Sequence, residues 1–344
     1  MLCSRLAMFG SYRYLLAHMV LLSHLWPGLG LWPGPYAVFA FFVLSGYLMS
    51  QVLEETYPAD LRGVARFLLN RALRIYPPYW LALAAGLVTV AFIPEDAARV
   101  DVWPIWPRGW DQWARNVFIF GLNEEPFRVV LPAWSLDIEL MFYLVMATGM
   151  TRSRAACRVW LAASLAWTLY LVSAEASFPD RYASLLSASL PFACGANLYH
   201  ARDRLRRGLH WRGHVLLAVG LFVANAALPR FIGYDPFELG FYLSLLLTAY
   251  GVGALVARGE RLLPVWFSRL DRRLGELSYP IFLCHLPVLP WVVWAGLAPA
   301  KGGAMLLFGT LLANVVGFVI HLVAELPLVH LRGRVRGDVP RRHI

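Results

Sequence analysis

The sequence predicts an all-α integral membrane protein, a polytopic bundle of about ten transmembrane helices with both termini cytoplasmic. Three observations carry that reading. Of 344 residues, 59% are hydrophobic and 15% charged, with a mean hydropathy of +0.56; a soluble domain carries about a quarter charged residues. Apolar runs of spanning length recur near 11–29, 36–53, 77–93, 133–149, 157–173, 183–200, 214–229, 239–257, 279–297 and 304–328. Threaded with the N-terminus inside, these runs leave only seven of the 31 basic residues on the outer side: Arg99, Arg108, Arg115, Arg128, Arg181, Arg230 and Lys301. That is the positive-inside asymmetry, which orients the chain. The net charge of +10 is therefore mostly topology and not a nucleic-acid footprint.

The first span contains Arg13 and two histidines and lacks a small-residue cleavage site, so no cleavable signal peptide is expected. Cys3, Cys157, Cys194 and Cys284 show no paired spacing and read as unpaired core residues, neither a disulfide framework nor a metal site. There is no internal repeat, and every stretch between spans has loop length. Residues 1–344 thus read as one membrane domain without an appended soluble domain.

The informative residues come in order along the chain. Arg13 and His24 are eleven positions apart, about 20° from a whole number of turns, so one helix face presents both, roughly 16 Å apart along the axis. Ionisable groups inside a span are costly and mark a buried or water-filled functional cavity. In the second span, Ser45-Gly46 permits close helix approach. Arg71 and Arg74, three apart on one face at the cytoplasmic surface, suit phosphate, because each guanidinium offers a planar fork of donors; the same pair also serves as a positive-inside anchor. Pro77-Pro78 is expected to end the surface segment and start a new helix.

The longest external segment, 94–132, carries Trp103, Trp106, Trp110 and Trp113, an interfacial belt or a sugar-stacking surface. Asp137 and Glu139 open the fourth span just after Trp134 and Ser135, and as carboxylates at membrane depth they need partners such as Arg13, Arg71 or a protonated His24. Gly275-Glu-Leu-Ser278 leads into the ninth span, which holds His285. Glu325 closes the last span, and the basic tail from Arg332 to Arg342 is expected to be loosely ordered. His18, about 120° round the helix from His24, reads as packing.

Taken together, the chain resembles the membrane-bound acyltransferase family 3, bacterial proteins that acylate sugars and other hydroxylated molecules. The matching residues run from Arg13 and His24 through Phe41-Phe-Val-Leu-Ser45-Gly46, Arg71-x-x-Arg74-Ile-x-Pro77 and Trp134-Ser135-Leu-x-x-Glu139. They end with Gly275-x-x-Ser278-Tyr279-x-Ile-Phe-Leu-x-His285-x-Pro287 and Glu325-x-Pro327. The series covers essentially the whole chain. It departs from the family where Gly10-Ser11-Tyr12 stands in place of the Asp-Gly that family members often carry before the first arginine.

The resemblance implies an enzyme of the bacterial inner membrane with no permanently bound cofactor. Its co-substrate would be acyl-CoA, usually acetyl-CoA, from the cytoplasm, and its acceptor a hydroxyl of an exported polysaccharide or its lipid-linked precursor. Polysaccharide-assembly machinery would be a natural partner. On that reading His24 is the general base on the acceptor hydroxyl, and Arg71 and Arg74, with Arg13, hold the phosphates of CoA. Glu139 orients His24 or pairs with an arginine, while Ser45, Trp134, Ser135, Asp137, Ser278, Tyr279, His285 and Glu325 line or support the substrate sites. Two other classes stay open to the residues themselves: a transporter or flippase of lipid-linked sugars, and a structural membrane partner whose buried charges hold its bundle together.

Overall fold

The computed structural model describes residues 9–31, 33–94, 103–124, 126–209, 213–233, 235–258 and 264–337, and every regular element among them is helical. Cys3 and the tail beyond Gly337 lie outside the described residues. Cys157, Cys194 and Cys284 are unpaired.

Helix α1 (Phe9–Leu25) owes its start to another helix. The backbone N–H groups of Gly10 and Ser11 donate to the Asp271 carboxylate at 3.2 and 2.7 Å. A helix N-terminus has orphan donors and a positive dipole end, and an anion there satisfies both. Asp271 belongs to α11 (Val265–Cys284), and the two helices cross in backbone contact. A Cβ on Gly10 would fall 1.8 Å from the Asp271 carbonyl oxygen, and one on Gly275 would fall 2.7 Å from Gly10 Cα. Gly10 is thus fixed by its packing against α11.

Helix α2 (Pro33–Glu55) is the centre of the bundle, packed against α1, α5 (Ala133–Ala147), α8 (Leu185–Gly208) and α10 (Leu239–Arg258). It meets α8 through Gly46 and Gly195, whose Cβ atoms would lie 2.2 Å from Phe192 O and 2.1 Å from Val43 O. Small residues let backbones approach this closely. Ser45, one residue earlier, is turned toward α5 instead.

Helix α3 (Leu61–Phe92), capped by Asp60 on the Gly63 N–H at 2.7 Å, corrects the expected break at Pro77-Pro78, because one helix runs through both prolines. Proline removes an intrahelical donor, and such steps persist in membrane helices when neighbours re-satisfy the freed groups. The Tyr279 hydroxyl donates to the Ile75 carbonyl at 2.9 Å, a bond that ties α11 to α3 beside the proline step, whereas the carbonyls that the prolines free are those of Leu73 and Arg74. Beyond it, Tyr76, Tyr79 and Trp80 donate to carbonyls of 116–118 and dock the short external helix α4 (Trp110–Phe118). Trp110 projects away from the protein at 91% exposure.

Helix α6 (Arg154–Ser173) packs on α8, with Trp160 Nε1 donating to Ser189 Oγ at 2.7 Å. The short α7 (Phe178–Tyr182) contributes Arg181, buried and paired as a fork with Glu238 in the connection from α9 (Gly213–Ile232) to α10. The bonds from Glu238 hold the Arg181 proton more tightly than usual.

The ninth expected span is broken. Helix α11 ends at Cys284, and α12 (Leu289–Trp294) follows after His285-Leu-Pro-Val. Helix α13 (Gly303–Ile320) continues into a π-helical turn, His321–Glu325, a 3₁₀ turn and α14 (Val329–Arg336). The tail is therefore ordered as far as Arg336, contrary to expectation: Asn70 Nδ2 and Arg66 Nε of α3 donate to the carbonyls of Arg332 and Val335 at 2.8 and 2.7 Å, the second an acceptor that the helix end leaves free.

Among the described residues, six stretches, Pro33–Glu55, Leu61–Phe92, Arg154–Ser173, Gly213–Ile232, Leu239–Arg258 and Gly303–Arg336, are long and apolar enough to cross a bilayer. Among the other expected spans, α1 and α5 have 17 and 15 residues, α8 ends in Arg206-Arg207-Gly208, and α11–α12 is interrupted. The molecule is a multi-pass helical membrane protein.

Candidate active site

Two helices bring three cations to one place. Arg13 from α1 and Arg71 and Arg74 from α3 line a narrow cavity of about 80 Å³, together with Ser45, Ser135, Glu139, Tyr143, Ser278 and Tyr279. Its remaining wall is apolar, with Phe41, Phe42, Leu136 and Phe282 among its members. The i, i+3 spacing of Arg71 and Arg74 puts both on the cavity face of α3.

The charges in this cavity do not balance by pairing. Glu139 is its only carboxylate among the lining residues, and its Oε1 accepts from the Ser45 hydroxyl at 2.6 Å and from the Tyr143 hydroxyl. Neither Arg13 nor Arg74 makes a hydrogen bond or close ion pair with any described residue. Arg71 donates weakly to Met49 Sδ at 3.6 Å and to Asn70 Oδ1 at 3.1 Å, and its Nε is buried without a partner. Three guanidinium groups face one carboxylate that two hydroxyls already occupy. Unpaired buried cations are expensive, so this arrangement calls for an anion from outside the protein.

The remaining predicted residues divide. Glu325 is buried at 4% exposure in the π turn, where its Oε2 meets His321 Nδ1 at 2.8 Å; it acts on Arg13 and Arg332 through space. Asp137 accepts from the Asn123 N–H at 3.0 Å and so fastens the external loop, while Trp134 stands edge-on to Tyr182, 5.0 Å between ring centres; neither lines the cavity. Ser135 and Ser278 line it and bond back to Pro132 O and Gly275 O.

His24 is exposed on the surface of the protein and lies outside the arginine cavity, near the far end of α1. Its neighbour is His285, 5.4 Å away between ring centres. His285 is fully buried where α11 breaks, and its Nδ1–H donates to the Phe282 carbonyl at 2.6 Å. That bond fixes the tautomer, leaving Nε2 an acceptor with no partner among the described residues. His18, by contrast, is satisfied at both nitrogens, donating to Tyr14 O at 2.9 Å and accepting from Asn314 Nδ2 at 3.1 Å, as befits a packing residue.

Sequence reasoning missed Tyr143 and Arg332. Tyr143 follows Glu139 by four residues, a same-face spacing visible in the sequence. Arg332, in electrostatic range of Arg71 and Arg74, reads there as one more residue of a basic tail.

The cavity gathers three arginines in one place and His24 lies outside it; similarity to known proteins supplies the kind of chemistry. A family model described as an acyltransferase domain, that of acyltransferase family 3, matches residues 9–325, and the chain belongs to this family. It is similar to the exopolysaccharide production protein ExoZ of Rhizobium meliloti (strain 1021), 28% identical over 337 residues that cover 88% of this chain and 92% of that protein. It is also similar to the acyltransferase MdmB of Streptomyces mycarofaciens, 25% identical over 336 residues that cover 88% of this chain and 83% of that one. No solved structure matches it. The protein is an acyl-transferring enzyme.

Proposed function

We propose that the protein is an O-acyltransferase carrying an acyl group, most simply acetyl, from cytoplasmic acyl-CoA to a hydroxyl of an exported polysaccharide or its lipid-linked precursor. The observation that carries this reading is the cavity in which Arg13, Arg71 and Arg74 converge without carboxylate partners. A polyphosphate such as CoA supplies the missing negative charge, and guanidinium forks suit phosphate oxygens. The narrow space beside them, walled in part by Phe41, Phe42, Leu136 and Phe282, suits a thin pantetheine arm better than a sugar ring. The similarity to a protein named for exopolysaccharide production supports a glycan acceptor.

In this reading neutral His24 takes the proton of the acceptor hydroxyl. The hydroxyl oxygen bonds to the thioester carbonyl carbon, the C–S bond breaks, and the proton passes from His24 to the departing CoA thiolate. The products are an ester and CoA thiol. Base catalysis of this kind contributes about 10²–10⁴ in rate. His285 stands beside His24 with a free acceptor nitrogen and supports it. Glu139 keeps the arginine cavity from being wholly cationic and is held by Ser45 and Tyr143.

The topology that goes with this has ten membrane passages, α1, α5, α8 and the broken α11–α12 joining the six longer stretches, with both termini in the cytoplasm of a bacterial inner membrane. The distribution of basic residues supports it, and polysaccharide-assembly machinery is the fitting partner. Following CoA release from acetyl-CoA by the purified protein, with and without a candidate glycan, tests the reading: no binding or turnover of any acyl-CoA would overturn it.

A further inference from the structure

A second cationic cleft lies well away from the arginine cavity, between α6 and α8 at their basic ends. It encloses about 470 Å³ and is lined by Arg154, Arg158, Asn197, His200, Arg204 and Arg207. Its back wall is fixed: His200 Nε2–H donates to Thr151 O at 2.7 Å, and Asn197 Nδ2 donates to Cys157 O at 2.7 Å and Ala193 O at 2.9 Å. The one carboxylate of the lining, Asp203, is 3.6 Å from Arg206, which does not line the cleft.

The charge arrangement opposes the helix that carries it. Arg154 and Arg158 lie in the first turns of α6, where the dipole is already positive and no acidic residue offsets it. Arg204 faces them from α8. These three guanidinium groups make no hydrogen bond or ion pair with any described residue. A positive-inside anchor needs only basic residues facing water. A concave cluster of basic side chains at a helix N-terminus, gathered from two helices into one cleft, additionally suits an anion.

The neighbouring surface indicates which anion. On α6, Arg154, Arg158, Leu165, Leu169 and Val172 fall within about 60° of one another around the axis. Leu165, Leu169 and Val172 are all exposed on this membrane-length helix. An apolar stripe thus runs along the helix and ends in the arginine cleft. That is the shape of an amphiphile with a phosphate head and hydrocarbon chains, and basic pockets at the ends of transmembrane helices bind such headgroups.

We infer that the cleft between α6 and α8 is a binding site for an anionic phospholipid, its phosphate held by Arg154, Arg158 and Arg204 and its acyl chains laid along Leu165, Leu169 and Val172. The site is separate from the donor cavity and does not depend on the acyl-transfer reading.

Delipidated protein in detergent is titrated with phosphatidylglycerol, cardiolipin or phosphatidylcholine, and thermal unfolding and native mass spectrometry are followed together. Parallel titrations use inorganic phosphate and CoA. The anionic lipids are expected to raise the unfolding temperature and survive as adducts, and phosphatidylcholine to do neither. Arg158→Gln should weaken anionic-lipid binding about tenfold, and the triple change Arg154→Gln/Arg158→Gln/Arg204→Gln should abolish the adduct. The lipid-free variants should unfold at about the same temperature as the parent, because the three side chains are exposed and make no bond with any described residue; Arg→Lys changes should keep most of the binding. Undiminished adducts in Arg158→Gln and the triple variant would overturn the proposal. So would a full shift from inorganic phosphate alone, which would mean a bare phosphate site, or displacement of the lipid by CoA, which would mean a donor site.

Discussion

The Ser45 hydroxyl donates to Glu139 Oε1 at 2.6 Å, joining α2 to α5 at the cavity where three arginines converge. The bond has two consequences. It removes the carboxylate from ready pairing with Arg13, Arg71 or Arg74, and it makes Glu139 part of the bundle's framework. Glu139→Ala should therefore cost about 1–3 kcal/mol of stability, because the buried Tyr143 hydroxyl and the half-buried Ser45 hydroxyl lose their acceptor. Glu139→Gln, which keeps an acceptor oxygen, should cost less. Thermal unfolding in detergent reads both.

Donor binding should rest on the arginines and be sensitive to salt. Removing one charged hydrogen-bonding partner of a phosphate costs about 1.5–3 kcal/mol, so Arg71→Ala and Arg74→Ala should each weaken CoA binding roughly tenfold or more. Arg→Lys at either position should restore only part of it, since a point charge does not reproduce the fork. Calorimetric titration of CoA into the purified variants checks the order wild type, Lys, Ala.

Gly10 is predicted to tolerate no side chain. A Cβ there would meet the Asp271 backbone at 1.8 Å, so Gly10→Ala must push α1 away from α11 and should prevent accumulation of folded protein. Asp271→Asn leaves the crossing intact but weakens the anionic cap on α1, for a loss of about 1 kcal/mol. Expression level and unfolding temperature distinguish the two outcomes.

Tyr279→Phe removes the donor to Ile75 O at the Pro77-Pro78 step. The expected cost is about 1 kcal/mol. Because Tyr279 also lines the arginine cavity, donor affinity should fall along with stability. A stability loss with unchanged CoA affinity would limit Tyr279 to its structural bond.

Much of this was legible in the sequence, for physical reasons that can be named. Bilayer thickness demands long apolar runs, so the bundle is visible from hydropathy alone. The cost of a buried charge singles out Arg13 and Glu139, and helical periodicity pairs Arg71 with Arg74. What escaped depends on tertiary contact. Pro77-Pro78 reads as a helix break because the missing N–H groups are visible in the sequence, while the packing of α11 and of the external helix on α3 is not. The Asp271 cap on α1 joins residues 260 positions apart. The break at His285 was foreshadowed by Pro287 and Pro290, but an apolar run across 279–297 masks it. Asp137 and Glu139, two apart and indistinguishable by composition, face different neighbours: one fastens an external loop, the other lines the cavity.

The central claim is a division of labour, with phosphates held by the arginine cavity and chemistry performed at His24. The most direct test follows CoA release and CoA binding separately in His24→Ala. The account predicts turnover reduced by about 10²–10⁴ with donor affinity unchanged. Full turnover in His24→Ala would contradict it and shift the base to His285, whose free Nε2 stands alongside.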